Sequence, residues 1–187
     1  MSEIFLTSDT HFCHNRDFLF APRGFSSVEE MNEAIVENWN DIVHPEDMVF
    51  HLGDVMLNND ESGLAYFKRL NGQINIVWGN HDTRTRQHLL SALPNVIALG
   101  YAHVFKYNKL SIYISHYPTL TFNYDEKHFS QHVINFHGHS HQQNNFLNPE
   151  NPFMYHVGLD SHNCTPVHID QAIEDIRRQW DEQLRPF

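Results

Sequence analysis

The sequence predicts an α/β fold that is parallel in its first half and more antiparallel in its second. Three observations carry this. Apolar runs of strand length alternate with helical patterns through about residue 93. Strand-like runs dominate the remainder until a final helix. Almost every apolar run also stops abruptly at a polar residue of a type that binds metal ions.

The elements follow in order. Residues 4–8 (IFLTS) form a first strand that breaks at Asp9 and His11. Ser27 and Glu30 make a capping box, and Met31, Ile35, Trp39 and Ile42 recur at helical spacing behind it. Residues 47–52 are a second strand, ending at Gly53 and Asp54. A helix over 61–70 is closed by Gly72. Residues 74–78 are a third strand running into Gly79, Asn80, His81 and Asp82, and a helix over 85–93 follows. Residues 101–107 and 110–115 form a hairpin around Asn108 and Lys109. Residues 133–136 and 155–159 supply further strands, and a helix over 166–184 carries the stripe Ile169, Ile173, Ile176 and Trp180.

The 187 residues suit one domain spanning 1–187, with no repeat and no Pro/Gly/Ser-rich linker. Hydrophobic residues are 41% of the chain, the ordinary globular range. No apolar run reaches the length of a membrane span. The opening MSEIFLTSDTHF has no basic start before an apolar core, so it reads as the first strand and not as a secretory signal. Cys13 and Cys164 do not suggest a disulfide framework, and a reducing, cytoplasmic setting is the simplest expectation. The formal charge of −11 argues against a groove for long duplex DNA. It leaves a small phosphate substrate open, because bound cations would reverse the local field.

The chemistry lies in the strand ends. Asp9, His11, Asp54, Asn80, His81, His116, His139 and His141 all follow apolar runs. In α/β sheets the loops at the carboxyl ends of strands converge, so these groups can meet in space. Carboxylate, amide and imidazole donors without thiolate favour manganese, iron or zinc. One ion needs roughly four to six ligands. Two ions sharing one carboxylate fit the set better, and Asp54 is central in the series.

The ordered blocks Asp9 and His11; Gly53 and Asp54; Gly79 through Asp82; His116; and Gly138, His139 and His141 resemble the calcineurin-like metallophosphoesterases. They span most of the chain. The stretches DTHFCH at 9–14, HLGD at 51–54 and SHYP at 115–118 are similar to a compact branch of small bacterial and phage phosphoesterases. The resemblance implies a four-layer αββα sandwich of two mixed sheets flanked by helices. It implies two divalent ions, manganese first, with iron or zinc as alternatives. Asp9, His11, Asp54 and His141 would hold one ion, and Asp54, Asn80, His116 and His139 the other. A hydroxide bridging the ions would attack phosphorus in line, and His81, off the metals, would stabilise charge or protonate the leaving oxygen.

One departure stands out. Many family members carry a second aspartate three residues after the first in the second block; here Leu57 takes that place, so the partner of His81 is open, with Asp82 serving either it or the backbone turn.

Other residues keep two readings. His14 either contacts substrate phosphate or hydrogen-bonds a ligand. Arg23 is either a phosphate clamp or a surface arginine in a Pro-Arg-Gly turn. Cys13 reads as packing. Tyr117, Phe122, Tyr124 and Phe129 either line a base-stacking pocket or pack ordinarily. His88, His103, His128, His132, His162 and His168 read as structural or surface residues. The resulting expectation is a dinuclear phosphoesterase acting on a small ester, a nucleotide-type phosphodiester such as a cyclic nucleotide or short oligonucleotide ahead of a monoester. The alternative is a binding module on the same fold that has lost catalysis, which retention of His81 and all the ligands disfavours.

Overall fold

A computed structural model describes residues 2–121 and 128–183. The first sheet collects β1 (Ile4–Thr7), β2 (Met48–His51), β3 (Gln73–Val77), β4 (Val96–Gly100) and β9 (Val167–His168). Its spatial order is β4-β3-β2-β1-β9. Strands β1 to β4 are parallel, joined by α1 (Asp17–Phe20), α2 (Val28–Ile42), α3 (Asp60–Phe67) and α4 (Arg84–Ser91), and β9 is antiparallel to β1. The second sheet runs β5 (Ala102–Tyr107), β6 (Leu110–Ser115), β7 (Val133–His137), β8 (Met154–His156). The chain closes with α5 (Ile169–Gln183).

Strand periodicity sorts the core into two parts. Phe5, Val49, Ile74 and Ile76 face Met31, Ile35 and Trp39 of α2, Phe67 of α3 and Leu90 of α4. Their neighbours Leu6, Phe50 and Val77 turn the other way and meet Ile112, Ile114, Phe136 and Tyr155 of the second sheet. The sheets therefore pack face to face, with Phe50 stacked on Phe105 at 4.7 Å. Ile169, Ala172, Ile173 and Ile176 of α5 close this second cluster. No helix among the described residues is long and apolar enough to cross a membrane.

Sequence and structure part at four places. The Ser27 hydroxyl caps α2 through the Glu30 N–H as expected, but the Glu30 carboxylate returns to the Ser26 N–H and hydroxyl. Strand β4 has no counterpart in the sequence reading. The second sheet is also less antiparallel than expected: only β5 and β6 form a hairpin, while β6, β7 and β8 are parallel. The described residues of the connections between those strands contain no α-helix, where helices would normally announce parallel pairing. Finally, Val167 and His168 belong to β9, so α5 starts at Ile169; its expected end at Leu184 lies outside the described residues.

Candidate metal centre

The strand ends of both sheets meet at one point. The loop after β1 lies along the loop after β2: the N–H groups of Asp9, His11 and Phe12 donate to the carbonyls of Gly53, Asp54 and Val55 at 2.9–3.1 Å. The β7 loop joins them where the His139 N–H donates to Asp9 Oδ2 at 2.9 Å. The β3 loop joins where the His81 N–H donates to Asp54 Oδ1 at 2.8 Å. Turning five side chains into one point forces their backbones into the left-handed region: φ is 59° at Asp9, 48° at His11, 57° at Asp54, 70° at His139 and 49° at His141. Such conformations cost about 1–3 kcal/mol each and persist where surrounding structure overdetermines them. Close approach also needs glycine. A Cβ on Gly79 would overlap the Asp54 carboxylate, and one on Gly138 would overlap Ser8 Oγ and crowd Asp9 Oδ2.

Two candidate metal groups result: Asp9, His11 and His141; and Asp54, His116 and His139. Asp54 Oδ2 lies 3.6 Å from His11 Nε2 and 3.4 Å from His116 Nε2, so it reaches both. Asn80 Oδ1 adds a further donor 2.9 Å from His116 Nε2. All seven residues named as ligands from sequence thus stand around one centre. His81 stands beside it, its ring centroid 5.6 Å from that of His11.

The donor set fits cations by its own chemistry. Asp9 Oδ1 and His11 Nε2 are buried without a hydrogen-bond partner and lie 3.7 Å apart. Leaving such groups unsatisfied costs about 1–3 kcal/mol each. The Leu52 carbonyl can only accept, so His116 Nδ1 carries the proton that bridges the 2.8 Å between them. Its Nε2 then faces the acceptor oxygens of Asp54 and Asn80, an arrangement that calls for a proton or a cation between them. The same logic holds for His141. Its Nδ1 lies 2.9 Å from Asp160 Oδ2, and its Nε2 faces Asp9 Oδ1 at 3.8 Å. Burial pushes the Asp9 carboxyl up, but the imidazoles of His11, His141 and His116 outweigh it and hold it well below its ordinary value. Burial pulls His116 down, yet Asp54 and Asp9 lift it to about 9. The two buried carboxylates therefore call for positive charge at this point.

Asp160 is the residue that sequence reasoning missed. It follows the last strand predicted at 155–159, so the same strand-end rule could have found it. Its carboxylate fixes the tautomer of His141, as outer carboxylates do for metal-binding histidines. It also settles Arg23. Arg23 is not positioned as a phosphate clamp: its side chain is 1% exposed, its Nε and Nη2 donate to Asp160 at 2.9 and 2.8 Å, and Nη2 also donates to the Asp9 carbonyl. The guanidinium braces the Asp9 turn and the carboxylate behind His141. Its Nε and Nη2 are already used, and Nη1 turns to Met31 Sδ at 3.7 Å.

Asp82 serves the turn. Its two oxygens accept the N–H groups of Asp54, Val55 and Gly79 at 2.8–3.1 Å. His81 is positioned through its backbone: besides the bond to Asp54, its carbonyl accepts from Arg86 at 2.7 Å, and Arg86 is held by Asp60. His14 Nδ1 lies 3.3 Å from His11 Nδ1, and burial and the neighbouring imidazoles lower His14 to about 4. His11, His14, His81 and His141 share the wall of one cavity of about 390 Å³. Tyr117 lies against His139 at 4.6 Å, while Phe129 packs on Phe153 away from the centre; Phe122 and Tyr124 lie outside the described residues. Cys13 takes no part in either group and contacts Asn32.

Comparison with known proteins agrees with the geometry. Residues 2–152 match the model of the calcineurin-like phosphoesterase superfamily domain. An uncharacterized protein of Methanocaldococcus jannaschii is 30% identical over 182 residues, covering 95% of this chain and 93% of its own. The gene 66 protein of Mycobacterium phage D29 is 25% identical, covering 94% and 98%. The crystal structure of an Aquifex aeolicus protein of unknown function shares the fold with a TM-score of 0.70 at 21% identity, covering 93% of this chain and 99% of that one.

Proposed function

Because the chain belongs to the calcineurin-like phosphoesterase superfamily, a family of metal-dependent hydrolases, we propose that it hydrolyses a small phosphodiester with two divalent ions, manganese first among them. The observation that carries the dinuclear reading is the position of Asp54 Oδ2, 3.6 and 3.4 Å from an imidazole of each group. Asp9, His11, Asp54 and His141 would hold one ion, and Asp54, Asn80, His116 and His139 the other. Bound there, such ions supply Lewis acidity toward phosphoryl oxygens and a water acidified to react near neutral pH.

The chain's own residues do the rest. Asp160 and Arg23 hold His141 and the Asp9 turn in place. The clasp of Asp54 and Arg86 on the His81 backbone sets its imidazole at the cavity wall, where it donates a proton to the leaving oxygen. His14, largely neutral near pH 7, hydrogen-bonds His11 or a phosphoryl oxygen. Among the described residues no lysine or arginine lines the cavity, so the extra negative charge of a monoester would be met by the ions without a side-chain cation. That supports a singly charged diester.

The test is a panel of esters assayed with metal-stripped protein before and after manganese: bis(4-nitrophenyl) phosphate, 4-nitrophenyl phosphate and cyclic nucleotides. Hydrolysis is expected only with metal, is expected to be reversed by chelation, and is expected to favour diesters. Inertness toward every ester with manganese, iron and zinc alike would contradict the reading. A preference for the monoester would overturn its diester half.

A further inference from the structure

A feature next to the centre is unexplained by metal binding. Helix α1 is a single turn that buries Leu19 and Phe20 yet leaves Phe18 73% exposed. A phenylalanine so exposed gains little from folding. Its ring is not randomly placed. It stands edge-on to His14 at 5.7 Å, and His14 in turn lies 6.4 Å from His81. Phe18, Leu19 and Pro22 form one side of the 390 Å³ cavity whose other side is His81, His141 and Asp160. One wall is thus apolar and ring-bearing, the other polar and continuous with the candidate metal groups.

We propose that Phe18 is a specificity residue, whose ring, with Leu19 and Pro22, receives a planar aromatic substituent on the substrate phosphate. This rests on the phosphoester reading above and names the kind of ester. The wall offers a neutral planar group a stacking face and apolar contact. It offers neither an anionic group nor an aliphatic alcohol a polar partner on that side. A nucleobase and a simple aryl ring share the required chemistry. Stacking of a base on a protein aromatic is sequence-tolerant, because every base has a π-face.

The test uses metal-loaded protein and two readouts. In kinetics, bis(4-nitrophenyl) phosphate and methyl 4-nitrophenyl phosphate share a leaving group and differ in the other substituent. The ratio of their kcat/KM values is expected to fall about tenfold in Phe18→Ala and to return in Phe18→Tyr. In calorimetry, phenyl phosphate and adenosine monophosphate are each expected to bind more tightly than methyl phosphate, with the advantage lost in Phe18→Ala. Tight binding of phenyl phosphate alone selects a simple aryl group, and of adenosine monophosphate alone a nucleobase. An unchanged kinetic ratio together with an unchanged binding preference overturns the proposal. Absence of hydrolysis of both diesters, with a Phe18-dependent binding preference retained, counts against the enzyme reading and upholds the aromatic site.

Discussion

Asp54→Asn is expected to abolish useful turnover and deplete both metal groups together. The substitution is nearly isosteric, so the amide oxygen can still accept the His81 N–H that Oδ1 accepts now. The other position then presents an NH₂ where Oδ2 faces His11 and His116, and it repels cations at both. Removing one preorganised electrostatic group commonly costs about 10²–10³ in kcat. Asp54 would serve two ions, so a loss of at least about 10³ is expected. Asp9→Asn is the comparison, since Asp9 belongs to one group only; it should lower metal content mainly by one ion. Kinetics and elemental analysis of the two variants check this. Full activity and full metal content in Asp54→Asn would remove the bridging assignment.

His81→Ala should lower turnover by about 10²–10⁴-fold, the usual contribution of a positioned acid–base group, while leaving the metal content unchanged. The seven proposed ligands stand without it, and its place at the cavity wall beside His11 and His14 leaves the imidazole free for substrate. The loss should be smaller for a nitrophenolate leaving group than for an alkoxide, because a weakly basic oxygen needs less proton donation. Equal losses for both would assign His81 to charge stabilisation on the phosphoryl oxygens. Loss of metal would make it a ligand. No change in rate or metal content would leave it a turn residue and move the acid role elsewhere, with His14 the first candidate.

The candidate metal groups were legible because a simple physical rule places them: loops at the carboxyl ends of strands converge, and almost every apolar run here ends on a donor. The same rule applied to Asp160 would have explained Arg23, but nothing local to a Pro-Arg-Gly turn shows that its guanidinium is buried. That pairing joins residues 137 apart in sequence and exists only once the sheets have packed. The positioning of His81 was equally hidden. Leu57 signalled a missing aspartate, but the clasp that holds His81 uses its backbone and the side chain of Arg86, which no motif records. In the fold, alternating strands and helices gave the first sheet, whereas the parallel pairing of β6, β7 and β8 has no α-helix among the described residues between strands to betray it. The two residues of β9 were absorbed into the apolar stripe of α5. Phe18 left no signal at all, since an exposed aromatic looks the same in sequence as a buried one.

The central claim is that one shared carboxylate organises two metal sites. The metal content of protein saturated with manganese and freed of excess ion tests it most directly, measured for the native chain and for His116→Ala. The account expects two ions per chain in the native protein and one in the variant, because His116 belongs to only one group. A single ion at saturation, unchanged when His116 is removed, would contradict it.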